Sequence, residues 1–386
     1  MAIQYFDLLA ETAPRERLQQ MQLKKLRALL AVVLDSNSFY QKKLFDAGLR
    51  SADDAQSLAD LRRLPFTTKA ELVADQLAHP LFGTNLSYPV ERFVKFHQTS
   101  GTTGKPLRWL DTEKSWAWWM RCWGAVYKAA SVGAGDRVFF AFGFGPFVGF
   151  WSAFESARIV GAMSVPGGGM SSEQRLHALC DSQATVLVCT PTYALHLAEV
   201  AQRAGLDIAH SHIRVTIHAG EPGASIPTTR QRIEEAWGAQ AFDHTGATEV
   251  GALGFSCVAR NGVHLNEGEF ICEVINPQTQ EPASEGELVV TNLGRHGMPV
   301  IRYRLGDIVR LDSAPCECWR TFTRMVGGVI GRADDMLTVR GVNVFPTAIE
   351  TIVREFPAIG EFQSEVVRNG ALDDLNIRIE VRGTDG

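Results

Sequence analysis

Lysine runs out early in this sequence: none follows Lys128, and nowhere do Lys and Arg gather into a basic run. With a formal net charge of −5, that scarcity excludes the field that nucleic acid or an anionic lipid surface needs, so neither is expected as a partner. Long apolar runs are scarce as well. The longest uncharged one, between Arg137 and Glu155, holds Gly143, Gly145 and Gly149 around Pro146. It reads as a strand, a turn and the start of a helix, not as a membrane span. The opening residues carry Asp7 and Glu11 and show no basic-then-apolar order, so no export signal is read there. Seven scattered cysteines, an odd number, do not suit a disulfide framework. The cytoplasm is the expected compartment.

What the chain does have is a full interior: 45% hydrophobic residues, eight tryptophans and only 21% charged residues describe a globular protein. Its 386 residues exceed one compact core and give a prior of about two to three domains. From Pro14 to Leu34 the residues Leu18, Met21, Leu26, Leu29, Leu30 and Val33 recur at helical spacing. Further helices are expected up to "LPFTTKAEL", where Thr67 or Thr68 could cap the next one. Beyond Arg137, strands at Val138–Phe142, Thr185–Thr190 and Ile213–Ile217 alternate with helical stretches, the pattern of an α/β domain with a mainly parallel sheet whose ligand sits at the strands' carboxyl ends. From Glu269 to Val309 the spacing becomes strand, turn, strand. After "GRADD" a helix near Pro346–Phe356 and strands near Gln363–Arg368 and Leu375–Arg382 are expected.

The fold class expected is therefore α/β: a large N-terminal domain over 1–333 and a small, seemingly shortened α+β domain over 334–386. The large domain divides into a helical lead-in (1–90), an α/β part with mainly parallel sheets flanked by helices (91–255) and a β-rich subdomain (256–333).

Five segments concentrate polar chemistry. "HQTSGTTGKP", 97–106, packs four hydroxyls, two glycines and a lysine into ten residues. Its N–H groups and hydroxyls would suit a polyphosphate, although its spacing is not that of the common P-loop. Residues alone equally allow a flexible linker. "HAGEPG" (218–223) and "FDHTGATEVG" (242–251) follow predicted strands. "IRYRLGDIVRL" holds Asp307 after a glycine turn, and "GRADDMLTVRGVNVFP" spans 331–346. Singly, Asp307 could cap a turn, Glu249 could be a solvated loop residue and Asp334–Asp335 a surface pair.

Together and in this order, the segments resemble the adenylate-forming enzymes, and most closely their phenylacetate-CoA ligase-like family. That resemblance implies an AMP-forming acid-thiol ligase using ATP, Mg2+ and coenzyme A. "TSGTTGK" (Thr99, Ser100, Gly101, Thr102, Thr103, Gly104, Lys105) would be its phosphate loop, Glu249 its Mg2+ ligand and Thr248 a neighbour of the α-phosphate. Gly220, Glu221, Pro222, Asp243, His244 and Thr245 would line the adenine cleft, with Asp307 and Arg332 on the ribose. Tyrosine is usual where this sequence has Thr245, so the stacking contact on adenine is in doubt. Asp334 would be the hinge of the small domain. The resembling enzymes also bring a late lysine to the reacting groups; with none after Lys128, the chain is expected to be a shortened form or to use another residue.

The acyl pocket is expected from Phe142, Gly143, Phe147, His218, Ala219 and Gly246, a Phe/Gly-rich set suited to a flat ring. No Lys or Arg in that stretch invites a second carboxylate, so an aromatic monoacid of the benzoate, aminobenzoate or phenylacetate kind is expected. Loading a carrier protein instead of coenzyme A is the alternative, and a homodimer is allowed. Cys257 and His264 form C-x6-H, and Cys316 and Cys318 form C-x-C. Spacing alone leaves buried free cysteines open; the resemblance adds a closed Cys3His site for a structural zinc. Cys122, Cys180, Cys189 and Cys272 read as core.

Overall fold

The structure, a computed structural model, describes residues 1–99, 105–333, 337–339, 342–344, 346–353, 356, 358–369 and 372–381. Helices α1 (Leu8–Glu11), α2 (Arg15–Ser36), α3 (Ser38–Asp46) and α4 (Lys69–Ala78) lead in. The expected stripe of α2 is the buried one, through Leu18, Leu26, Leu29, Leu30 and Val33. Helix α4 starts where the sequence signals it: Thr68 accepts from the Glu71 amide while the Glu71 side chain returns to the Thr68 amide, a reciprocal cap.

An antiparallel hairpin, β1 (Phe93–Gln98) and β2 (Arg108–Thr112), precedes helix α5 (Glu113–Ala129), whose N-cap is Thr112. Strand and helix then alternate: β3 (Arg137–Phe140), α6 (Val148–Ser156), β4 (Met163–Pro166), α7 (Ser172–Asp181), β5 (Val186–Cys189), α8 (Pro191–Arg203), β6 (Val215–His218), α9 (Pro227–Trp237) and β7 (Gln240–Ala247). Strands 4-3-5-6-7 pair in parallel, and β3, β5 and β6 are almost wholly buried, as strands with helices on both faces must be.

After β7 the chain is all β: β8 (Gly251–Ser256), β9 (Val263–Leu265), β10 (Phe270–Ile275), β11 (Glu285–Asn292), β12 (Tyr303–Asp312) and β13 (Arg324–Arg332). The sequence reading set these strands apart as a subdomain. In the structure β8 pairs with both β7 and β9, so the parallel and antiparallel halves form one 11-stranded sheet. Its antiparallel half runs 8-9-13-12-11-10, and β7 is the strand where the sheet changes sense. Towards the C-terminus follow β14 (Leu337–Val339), β15 (Val342–Val344), α10 (Pro346–Val353), β16 (Ile359–Asn369) and β17 (Leu372–Val381), the strands pairing as two hairpins. Among the described residues no helix is long and apolar enough to cross a membrane.

Candidate active site

The site gathers where β7 changes partners. A cavity of about 380 Å3 is lined by Gly220, Glu221, Pro222, Asp243, His244, Thr245, Asp307 and Arg332, all the residues the sequence assigns to adenine and ribose. Asp307 on β12 faces Arg332 on β13 in register, and the Arg332 Nη1 donates to Asp307 Oδ1 at 2.9 Å. Glu221 accepts from the Thr192 amide and hydroxyl at 2.8 and 2.5 Å, which fixes the turn after β6 against the start of α8.

Two groups in this wall carry shifted acidities. Burial pushes the Asp243 carboxyl up to about 6, moderated by the hydroxyl of Ser225 that donates to it. Burial also pushes His244 down to about 4, so its ring is neutral at pH 7. Because a carbonyl only accepts, Nδ1 carries the ring proton and donates to Gly254 O at 2.7 Å. Ser225, Gly327 and Val329 also line the cavity and were not singled out in the sequence. Gly328 beside them has φ +71, and a Cβ there would lie 2.7 Å from the Ser225 hydroxyl, so backbone can come this close to the wall only as glycine.

A second, smaller cavity of about 140 Å3 adjoins the first and shares Gly220, His244, Gly246 and Ala247 with it. Ala219 and Gly246 of the expected acyl residues line it; its other walls are Trp119, Trp123, Val148, Gly149, Phe150, Thr248 and Gly251. Phe142 stands behind that wall, stacked on Phe150 at 3.4 Å between ring centroids. Phe147 is half exposed at the start of α6, and Gly143 has no atom near its missing Cβ. His218, the last residue of β6, is wholly buried, its Nε2 2.8 Å from the Thr216 hydroxyl, and is pushed down to about 4 by burial. The expectation for Phe142, Gly143, Phe147 and His218 is thus not met by the walls. The walls come instead from α5, where Trp119 and Trp123 are four residues apart and so share one helix face.

Thr248 and Glu249 sit in the turn between β7 and β8. Glycine makes that turn possible: a Cβ on Gly246 would stand 2.4 Å from the Gly251 carbonyl, and Gly251 itself has φ +126. Glu249 is 7% exposed, with the Lys69 Nζ 3.8 Å from its Oε1. Thr99 ends the hairpin ahead of the segment expected to hold phosphate, its amide donating to Leu107 O and its hydroxyl accepting from the Leu107 amide, both at 3.0 Å. Lys105 is exposed. Ser100, Gly101, Thr102, Thr103, Gly104 and the hinge residue Asp334 lie outside the described residues.

Away from this cleft, Cys257, His264, Cys316 and Cys318 converge, all buried, with their ligand atoms within 4.8 Å of one another. The Cys257–Cys316 sulfurs are 3.6 Å apart and Cys318 Sγ lies 3.4 Å from His264 Nε2. His264 Nδ1 faces the Phe322 carbonyl at 3.0 Å.

Comparison with known proteins agrees with this geometry. Residues 341–385 match the family described as "AMP-binding enzyme C-terminal domain". The phenylacetate-coenzyme A ligase of Thermus thermophilus is 34% identical over 378 residues, covering 96% of this chain and 83% of that protein. The phenylacetate-coenzyme A ligase of Escherichia coli is 33% identical over 380 residues, with 96% and 84% covered. Among solved structures, a 2-hydroxyisobutyryl-CoA ligase in its postadenylation state superposes with a TM-score of 0.91 at 28% identity, covering 98% of this chain and 81% of that one. With relatives this similar along nearly its whole length, the chain belongs to the phenylacetate-coenzyme A ligase family of adenylate-forming enzymes.

Proposed function

We propose that this chain is an AMP-forming aryl-CoA ligase. The carboxylate of an aromatic acid attacks the α-phosphorus of ATP, releasing pyrophosphate and leaving an aryl-adenylate. The thiol of coenzyme A then attacks the acyl carbon, AMP departs, and the aryl thioester remains. One observation carries this reading: two cavities of different character share walls at Gly220, His244 and Gly246, beside the Thr248–Glu249 turn. The larger and more polar one suits the nucleotide. The smaller, at about 140 Å3, has the size of an apolar cavity of roughly 150 Å3 that holds one benzene ring, which favours a single-ring acid over a long-chain or fused-ring one.

Within that frame Asp307 and Arg332 hold the ribose, and the neutral His244 divides ring from nucleotide. The catalytic task is placement and charge stabilisation. Glu249 fits Mg2+, which takes one or two carboxylates together with phosphate oxygens, and Lys69 already stands as a cation beside it. Bound there, Mg2+ would stabilise charge on the phosphates. Ser100, Thr102 and Thr103 are assigned to the departing pyrophosphate from the sequence alone. Residues 334–386, hinged at Asp334, would form the small domain.

The Cys3His cluster fits zinc. A tetrahedral ion with bonds of about 2.3 Å to sulfur and about 2.0 Å to nitrogen sets ligand edges of about 3.8 Å between sulfurs and about 3.5 Å from sulfur to nitrogen. Two of the cluster's six edges are 3.6 and 3.4 Å and all lie within 4.8 Å, and the Phe322 carbonyl orients the histidine as a supporting contact should. Four protein ligands leave no open position, so the site is structural.

The test is a pyrophosphate-release screen over carboxylic acids. Release that requires a single-ring aromatic acid, followed by thioester on adding coenzyme A, is the expected result; release indifferent to the acid would refute the reading. A holo-carrier protein in place of coenzyme A is expected to accept no aryl group.

A further inference from the structure

Arg295 was not singled out in the sequence, and among the described residues it is the largest charged side chain to be wholly buried. Its guanidinium spends every face. Nε and Nη2 donate to Asp111 Oδ1 and Oδ2 at 2.8 and 2.6 Å. Nη1 donates to the carbonyls of Thr248 and Glu249 at 2.7 and 3.2 Å. The guanidinium carbon lies over the Trp109 and Trp119 rings, 4.9 and 5.5 Å from their centroids. Asp111 is likewise 0% exposed, and it sits on β2, the strand that leaves the phosphate loop.

We propose that Arg295 is a positioning residue for adenylation, a tie between β2 and the Thr248–Glu249 turn that fixes the place of the Glu249 carboxylate relative to β2. The proposal rests on the reading of Glu249 as the Mg2+ ligand. Three points support it. One element tied carries Glu249 and the other follows closely on the segment assigned to the phosphates, and the two are distant in sequence. A buried ion pair is a poor device for stability, since well-packed apolar replacements are often neutral or better; geometry is the better reason for this one. Finally, only a planar fork with five donors can grip a carboxylate with two nitrogens and two successive carbonyls with a third.

The experiment uses the full chain as Asp111→Leu/Arg295→Met, which removes both charges together and leaves neither stranded. Three readouts are followed: the thermal midpoint, amide hydrogen exchange along the chain, and the Mg2+ concentration that half-saturates acid-dependent pyrophosphate release. Exchange in the segment 246–251 should accelerate by about tenfold or more while the sheet strands keep their protection, because only the turn has lost its anchor. The half-saturating Mg2+ should rise by about tenfold and kcat should fall by about 10²-fold, the order of loss from a misplacement of about 1 Å, with the KM for the acid little changed. A folded double variant with the parent's exchange in the turn and the parent's Mg2+ requirement would overturn the proposal. Should that variant not fold, Arg295→Lys puts the same question: lysine keeps the charge beside Asp111 but cannot hold both carbonyls, so an unchanged turn and Mg2+ requirement there would overturn it equally. If the parent protein releases no pyrophosphate with any acid, the functional reading falls, whereas the exchange data still decide the tie.

Discussion

Asp243 and three buried histidines pull acid stability in opposite directions. His97, His218 and His244 are each pushed down to about 4, mainly by burial. Unfolded, they bind protons from about 6.5 downward, so the unfolded state is the more protonated one between about 6.5 and 4. Stability is therefore lost as pH falls through that window. Asp243, pushed up to about 6 by burial, behaves oppositely: its native form keeps a proton that the unfolded form gives up near 3.8, so its contribution is present at low pH and fades as pH rises through 6. The histidines therefore weaken the fold towards acid, while Asp243 opposes them, as do Glu11 and Asp111, whose carboxyls burial also raises. Denaturant unfolding from pH 7 to pH 4 isolates the aspartate's part by comparison with Asp243→Asn: without the opposing carboxyl, the variant should lose more stability towards acid than the parent does. A shallower fall in that variant would contradict the assignment. At Glu249 the prediction concerns rate. Glu249→Gln should still bind ATP, yet adenylate about 10²–10³-fold more slowly, the usual loss when one group serving the transition state is removed. Nucleotide titration beside single-turnover adenylation separates the two effects, and a near-parent rate would remove Glu249 from the chemistry.

The elements that matter most are turns and clips. The turn between β7 and β8 exists because Gly246 and Gly251 let the chain reverse within a space that a Cβ would fill. The Cys3His cluster joins the β8–β9 region to the loop before β13. Cys316→Ser should lose the expected single zinc per chain, and its thermal midpoint should drop by roughly 2–4 °C for each kcal/mol forfeited. Cys180→Ser, remote from the cluster and in helix α7, should keep the metal and serves as the control. Metal analysis together with thermal unfolding checks both; a zinc-free parent protein would end the idea. Sequence spacing alone could not decide this site, because C-x6-H and C-x-C lie 52 residues apart between His264 and Cys316 and only the pairing of β9 with β13 brings them together.

At the scale of the whole molecule, the residues lining the two cavities come from segments spread between Trp119 and Arg332, and most of them lie on or beside one continuous sheet near its change of sense at β7. Segments with local signals were legible in the sequence. The wall of the larger cavity is of this kind: Gly220, Asp243, His244 and Asp307 lie on short polar stretches after or within predicted strands, where an α/β sheet presents its ligands. The acyl walls were less so. Trp119 and Trp123 look like ordinary core residues of an amphipathic helix, and nothing local distinguishes a tryptophan packed in a core from one facing a cavity. Arg295 gave no signal at all, since "LGRHGMP" reads as a surface turn until Asp111 is placed beside it. The sheet itself was divided in the reading because a change from parallel to antiparallel pairing looks, in one dimension, like a domain boundary.

The central claim is that the acid is activated as an adenylate, and oxygen labelling tests it most directly. Phenylacetate carrying 18O in both carboxylate positions is incubated with the protein, ATP, Mg2+ and coenzyme A, and the products are weighed by mass spectrometry. If the carboxylate attacks the α-phosphorus and AMP later departs from the acyl carbon, one labelled oxygen must leave with AMP, while pyrophosphate stays unlabelled and the thioester keeps the other label. Label in orthophosphate with ADP formed, or unlabelled AMP beside labelled thioester, would contradict the account.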